Sequence, residues 1–285
     1  MRFGVLILPD APWRIAGQRW LSAERMGFDH AWTYDHLTWQ SLRDGPWFGA
    51  MPTLAAAATA TSRIRIGTMV ASPNFRHPVT FAKELMTLDD MSDGRITAGL
   101  GAGGAGFDAT ATRTSGWRRL ERTERFEEFI AMLDRLLAEP ATTIEGRYYV
   151  ANDARSIPGC RQQPRLPFAI AATGPRSLRI AARYGKSWIA SDSRGAGPEL
   201  VAQLEEVCSA EGRDPTSIGR VVLVGHRERP LESVEAFREV VGRYAEAGFT
   251  DLVVHWPRPG EPFSADTAVL ERVAADVLRG ADAAG

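Results

Sequence analysis

The chain has 285 residues, and 34 Lys+Arg against 35 Asp+Glu leave a net charge of -1, a balance that excludes an electrostatic binder of nucleic acid. With 44% hydrophobic and 24% charged residues it is not a disordered chain, and two cysteines, Cys160 and Cys208, cannot build a disulfide scaffold or a zinc site alone. No apolar run approaches the ~20 residues of a membrane span, and residues 1–10 lack the basic start and small-residue cleavage site of a signal peptide, so a cytoplasmic protein without membrane, nucleic-acid or metal partners is expected.

Short apolar runs alternate with amphipathic stretches along the chain. Residues 3–8 form a continuous apolar run ended by Pro9, which predicts a buried strand, and a helix follows over 15–26 with Gly27 placed to cap it. The second unit is a strand at 29–34 and an Ala-rich helix at 52–61, and the third a strand at 64–70 and a helix at 80–91. The fourth is a strand at 96–100 and a long helix at 117–138, where Phe126, Phe129, Ile130, Leu133, Leu136 and Leu137 recur at helical spacing. Residues 142–150 break the rhythm: short β-prone stretches at 142–144 and 148–150 flank Glu145 and Gly146, which predicts a small hairpin. Strands at 168–171, 187–190, 218–224 and 252–255, each followed by a helix, complete the count.

Eight strand–helix units predict an α/β fold of the (β/α)8 TIM-barrel type, one domain over 1–285 with an insertion at about 140–165. A doubly wound open sheet alternates in the same way and is the competing architecture. In a barrel, the irregular stretches 36–49 and 101–116 follow strands and lie on the catalytic rim.

Several rim residues could carry chemistry. Asp35 and His36 stand directly after strand two, where an imidazole can shuttle protons, although an Asp cap beside a packed His would look the same. The glycine-rich run from Gly99 to Gly106 offers a floor for a flat ring or a flexible loop, but it lacks the immediate helix start of a phosphate cradle. Thr173, Gly174, Pro175, Arg176 and Ser177 open a helix after a strand and suit an anion, or form an ordinary capped helix start; Ser191 and Asp192 could complete the same pocket or be a polar turn. Trp13, Trp39, Trp47 and Trp256 fall near strand ends and could wall a substrate pocket; His226 and His255 are also at rim positions.

Taken in order, these motifs resemble the bacterial-luciferase-like superfamily of flavin- or deazaflavin-dependent oxidoreductases. The matching residues run from 3–9 and 27–29 through 32–37, 66–70, 76–78, 88–95 and 99–101 to 171–175. The resemblance implies a (β/α)8 barrel, commonly homodimeric, that binds the deazaflavin coenzyme F420 or FMN at its C-terminal mouth. It implies that Asp35 contacts the cofactor and that His36 is the catalytic proton donor or acceptor. It places a non-prolyl cis peptide at Met69 and Val70, after Thr68, against the ring, sets Gly101, Ala102 and Gly103 along the ring edge, and assigns the phosphate to Thr173, Gly174, Arg176 and Ser177. The reaction implied is hydride transfer between deazaflavin and a small organic substrate, apolar or aromatic by the tryptophans. The alternatives are an FMN-dependent monooxygenase fed by a separate flavin reductase, and a redox-inactive relative.

One departure bears on the substrate. In the deazaflavin-dependent sugar-phosphate dehydrogenases a Glu of the strand-four loop donates the proton; here Gly104 stands at the matching position, and the basic residues that hold the sugar phosphate have no counterpart. Asp108 is the neighbouring acid that could replace it.

Overall fold

The computed structural model describes residues 1–113 and 116–278; the ends of two expectations, residues 114–115 of the strand-four loop and 279–285 of the domain, lie outside them. Eight parallel strands close a barrel in the order β1-β10-β9-β8-β7-β4-β3-β2. They are β1 (Arg2–Leu6), β2 (His30–Thr33), β3 (Arg65–Thr68), β4 (Ile96–Leu100), β7 (Phe168–Ala171), β8 (Ser187–Ser191), β9 (Gly219–Leu223) and β10 (Asp251–His255). Closure is made by β1 on β10, with Phe3 beside Leu252 and Leu6 beside His255, which removes the open edge of a doubly wound sheet.

The strand period of two explains the two cores. Phe3, Val5 and Ile7 point outward and join the large cluster between the barrel and its helices, whereas Leu6 and Leu8 point inward to Trp32, Tyr34, Met69, Ile189, Leu223 and Val253. The outer cluster is covered by α1 (Trp13–Met26), α2 (Ala50–Ala60), α3 (Pro78–Met91), α5 (Arg119–Ala138), α6 (Pro175–Tyr184), α7 (Pro198–Ala210), α8 (Val234–Glu246) and α9 (Thr267–Val273). On α5 the expected apolar stripe is the buried one, Phe126 to Leu137.

Trp32 fills the barrel interior only because its neighbours are small. A Cβ on Gly67 would stand 2.7 Å from Trp32 Cζ3 and 2.3 Å from the Thr97 carbonyl.

Three local expectations change. A short helix, α4 (Phe107–Ala111), interrupts the loop after β4. The hairpin is larger and shifted: β5 (Ala141–Glu145) pairs antiparallel with β6 (Val150–Arg155), so 148–150 belongs to the connection and the first residue of β6. The reason is Glu128, whose carboxylate accepts the N–H groups of Arg147, Tyr148 and Tyr149 and holds them in a turn against α5. β3 ends at Thr68, not at residue 70; the Met69–Val70 peptide that follows is cis, and the chain meets β4 again by a bridge between Ala71 and Leu100.

Two glycine substitutions should therefore differ in sign. Gly67→Ala should destabilise the barrel by about 1–3 kcal/mol through overpacking. Gly242→Ala, on the exposed face of α8 with nothing near its Cβ, should stabilise by up to ~1 kcal/mol through helix propensity. Denaturant midpoints of the two variants check both.

Candidate active site

A cavity of about 670 Å³ opens at the C-terminal ends of β3, β4, β7 and β8. Into it the fold brings His36, Met69, Val70, Gly101, Ala102, Gly103, Thr173, Gly174, Pro175, Arg176, Ser177 and Ser191. Ser72, Asn74, Gly104, Asp108, Arg119, Arg122 and Arg194 join them.

His36 is held by Asp108. Its Nδ1 lies 2.5 Å from Asp108 Oδ2, and Asp108 Oδ1 accepts the Leu37 N–H at 2.7 Å. A carboxylate at Nδ1 assigns the ring proton to that nitrogen, which leaves Nε2 as the ring atom available at the cavity. Asp108 is therefore not a separate second acid but the orienting partner of His36. It reaches that place because α4 turns the β4 loop back toward the β2 loop, an element the glycine-rich sequence concealed.

Asp35 does not line the cavity. Its buried carboxylate is gripped by Arg76, with Nε at 2.5 Å from Oδ2 and Nη2 at 2.8 Å from Oδ1. Burial alone would lower the Arg76 pKa, but Asp35 and then Glu84 hold it raised. Asp35 thus fixes the β2 rim against the β3 loop, outside the cavity lining. Thr68 is likewise buried, donating to the Gly99 carbonyl at 2.7 Å, and so ties β3 to β4.

The glycines of the β4 loop have steric reasons. A Cβ on Gly101 would sit 2.7 Å from Val70 Cγ2, so this chain runs directly against the cis peptide. Gly103 has φ 72°, where side chains are disfavoured, and its Cβ would stand 2.6 Å from Asn74 Oδ1.

The anion assignments divide. Pro175, Arg176 and Ser177 form the first turn of α6, as the sequence suggested. The Arg176 guanidinium, however, is committed to α5, with Nε and Nη2 at 2.9 and 2.7 Å from Glu127 and Nη1 at 3.5 Å from Glu124. Two glutamates thus flank its charge where it lines the cavity. Asp192 is also removed from the cavity lining. Its Oδ2 accepts the N–H groups of Gly225, His226, Arg227 and Glu228 at 2.9–3.2 Å. Burial pushes its pKa up, but the His226 side chain and these amides outweigh burial and hold it far below the ordinary carboxylate value. Asp192 organises the β9 loop.

The four tryptophans separate as well. Trp39 and Trp47 stack beside His36, with centroids 6.5 Å apart, and Trp47 Nε1 donates to the His36 carbonyl at 2.8 Å. Trp256 is buried in the outer core and Trp13 is 40% exposed, packed on Gly17. None of the four lines the cavity. Strand parity explains Trp256: on β10 Val253 faces the interior, so residue 256 faces out.

Next to Trp39 lies a polar cluster that was legible only as isolated rim residues. Tyr34 Oη is 2.9 Å from His255 Nε2 and 3.2 Å from His226 Nε2. His255 Nδ1 faces the Val224 carbonyl at 3.1 Å, which makes Nδ1 the protonated nitrogen and Nε2 the acceptor of the tyrosine proton. Burial lowers the His255 pKa, so this ring is neutral, and burial followed by the Asp192 charge raises the Tyr34 pKa. Phe263 stacks on His255 at 3.4 Å and covers the cluster.

With the geometry in hand, comparison with known proteins places the chain. The sequence profile of the luciferase-like monooxygenases matches residues 1–264, and the chain belongs to this family. It is 36% identical over 312 residues to an F420-dependent glucose-6-phosphate dehydrogenase of Beutenbergia cavernae, covering 90% of each chain. It is 32% identical over 268 residues to an F420-dependent hydroxymycolic acid dehydrogenase of Mycobacterium tuberculosis, covering 92% of this chain and 71% of that one. Among solved structures, an F420-dependent secondary alcohol dehydrogenase with an F420-acetone adduct superposes with TM-score 0.81 at 19% identity, over 95% and 97% of the two chains. A monooxygenase of Streptomyces bottropensis superposes with TM-score 0.76 at 23% identity, over 99% and 100%. The protein is thus an oxidoreductase of the luciferase-like type, and among the described residues no helix is long and apolar enough to cross a membrane.

Asp192→Asn should cost about 1.5–3 kcal/mol, the worth of charge-assisted hydrogen bonds. Because the folded pKa is depressed, the wild-type benefit is complete above about pH 4, the unfolded value, and is lost as pH falls below it. Hydrogen exchange at residues 225–228 should accelerate in the variant at pH 7, and the stability gap from wild type should narrow in acid.

Proposed function

We propose that the protein is an F420-dependent oxidoreductase that interconverts an alcohol and a carbonyl compound carrying an apolar or aromatic flank. The observation that carries this reading is His36: one ring nitrogen is fixed by Asp108, and the other is left at a cavity whose far wall is the start of α6. The cavity suits the deazaflavin. Val70 and the side-chain-free backbone of Gly101 and Gly103 offer a flat surface, and Thr173, Gly174 and Ser177 stand where a phosphate would be received. The F420-dependent relatives support the same cofactor.

When bound, the deazaflavin supplies a carbon that accepts or returns a hydride. In the oxidative direction His36 Nε2 takes the hydroxyl proton as the carbon-bound hydrogen departs with both electrons, leaving a carbonyl; in reduction it returns that proton. Asp108 holds the ring and stabilises the imidazolium formed. Met69 and Val70 would support the deazaflavin ring, and Trp47, donating to the His36 carbonyl, holds the loop that carries the imidazole.

The apolar flank is inferred from the lip around His36. Leu37 and Phe107, on the two loops joined by Asp108, are 46% and 40% exposed and offer an apolar group a contact beside His36. Phe107 is further braced by Arg43, 5.5 Å from its ring. A phosphorylated sugar would find a poor match in that lip.

Titration of the protein with F420 and with FMN, read by tryptophan fluorescence, tests the cofactor; micromolar F420 binding without FMN binding is expected. Tight FMN binding alone, with oxygen uptake in the presence of a flavin reductase, would instead make it a monooxygenase. His36→Ala should lower kcat by about 10²–10⁴-fold, the usual worth of a general acid–base group, with F420 affinity nearly unchanged. Asp108→Asn should act in the same direction to a smaller degree.

A further inference from the structure

The cavity wall made by α5 and the β8 loop holds positive charge that the phosphate site does not use. Four arginines line the cavity, Arg119, Arg122, Arg176 and Arg194, and among the described lining residues Asp108 is the one carboxylate, already engaged by His36. Arg176 is neutralised by Glu127 and Glu124. Arg122 donates to a neutral acceptor, the Trp117 carbonyl, at 2.8 Å. Arg119 and Arg194, both exposed, have no carboxylate at ion-pair distance among the described residues. Arg119 is close to the start of α6, since its Nη2 lies 3.9 Å from the place of a Cβ on Gly174.

The charge continues inward. Arg119, Arg122 and Arg125 follow one another at intervals of three and so share a face of α5. Arg125 is buried, and its contacts are neutral: Tyr149 Oη at 3.0 Å, the Pro73 carbonyl, and the Trp117 ring at 5.2 Å. Buried or flanking cations without counter-ions raise the local positive potential, and a concave wall focuses it.

We propose that this wall is a second anion subsite, distinct from the first turn of α6, in which Arg119 and Arg194 receive a carboxylate-bearing arm of the cofactor that continues beyond its phosphate. The assignment rests on the deazaflavin reading. The side chain of FMN ends at a single phosphate, which the α6 turn can take alone; F420 continues past its phosphate into a chain of carboxylates. Arg119 and Arg194 therefore hold the coenzyme's outer end and favour it over FMN. Arg176, the arginine that the sequence puts forward, does not.

The test is the affinity of the whole protein for three ligands: F420, FMN, and the bare deazaflavin riboside that lacks phosphate and arm. Arg119→Gln with Arg194→Gln should weaken F420 about ten-fold, as two exposed ion pairs would, and should flatten the salt dependence of F420 binding. Affinity for the bare deazaflavin, and the melting temperature, should stay at the wild-type value. Unchanged F420 affinity and salt dependence would overturn the subsite and leave the cofactor reading standing. An equal loss for the bare deazaflavin would also overturn it, by placing these arginines at the ring or in the fold. Wild-type protein that binds FMN and not F420 would overturn both readings together.

Discussion

Backbone N–H groups in buried loops must find acceptors, and in this barrel carboxylates supply them where strands cannot. Asp192 gathers four amides of the β9 loop, and Glu24 receives those of Ser62, Arg63 and Ile64 before β3. Burial opposes the charge of Glu24, yet those amides keep its pKa lowered. Asp108 does the same for Leu37 and adds His36. The loop that shapes the mouth and the His36 imidazole thus share one anchor. A carboxylate that satisfies a loop also orients a ring at the cavity.

The mouth has two halves of different character. Across β3, β4, β7 and β8 lies the cavity, glycine-lined on one side and arginine-lined on the other. Across β2, β9 and β10 lies a packed wall in which Tyr34, Trp39, His226, His255 and Phe263 touch one another. Tyr34 Oη links the two imidazoles, and His255 Nδ1 meets the Val224 carbonyl, so these rings hold one another in place. His36 stands at the seam, its ring 5.7 Å from Tyr34. A flat anionic cofactor on one side and an apolar substrate on the other would meet there.

Arginine shows how far local sequence carries. Its guanidinium can serve a ligand or a neighbouring carboxylate equally well. Arg76, read only as part of a motif, turns out to clamp Asp35. Arg176, read as the phosphate ligand, is paired to glutamates some fifty residues earlier in the chain. Nothing near either residue in sequence announces its partner, because the contacts cross from one strand–helix unit to another. The tryptophans behave similarly: proximity to a strand end put four of them on the rim, while strand parity and packing left two beside His36.

What the sequence determined by itself is periodic or local. Apolar runs of period two and 3.6, with turn residues between them, specified eight strand–helix units and favoured a barrel, which the closure of β1 on β10 decides. Local backbone chemistry marked the α6 start and the position of His36 after β2, whereas the Met69–Val70 cis peptide was marked only by the family resemblance. What only the tertiary structure decided is which charges meet. The partner of His36, the glutamates beside Arg176 and the place of Arg119 and Arg194 at the cavity depend on loops brought together by barrel closure. Such pairings are set by distances across the mouth, and no sequence spacing encodes those distances.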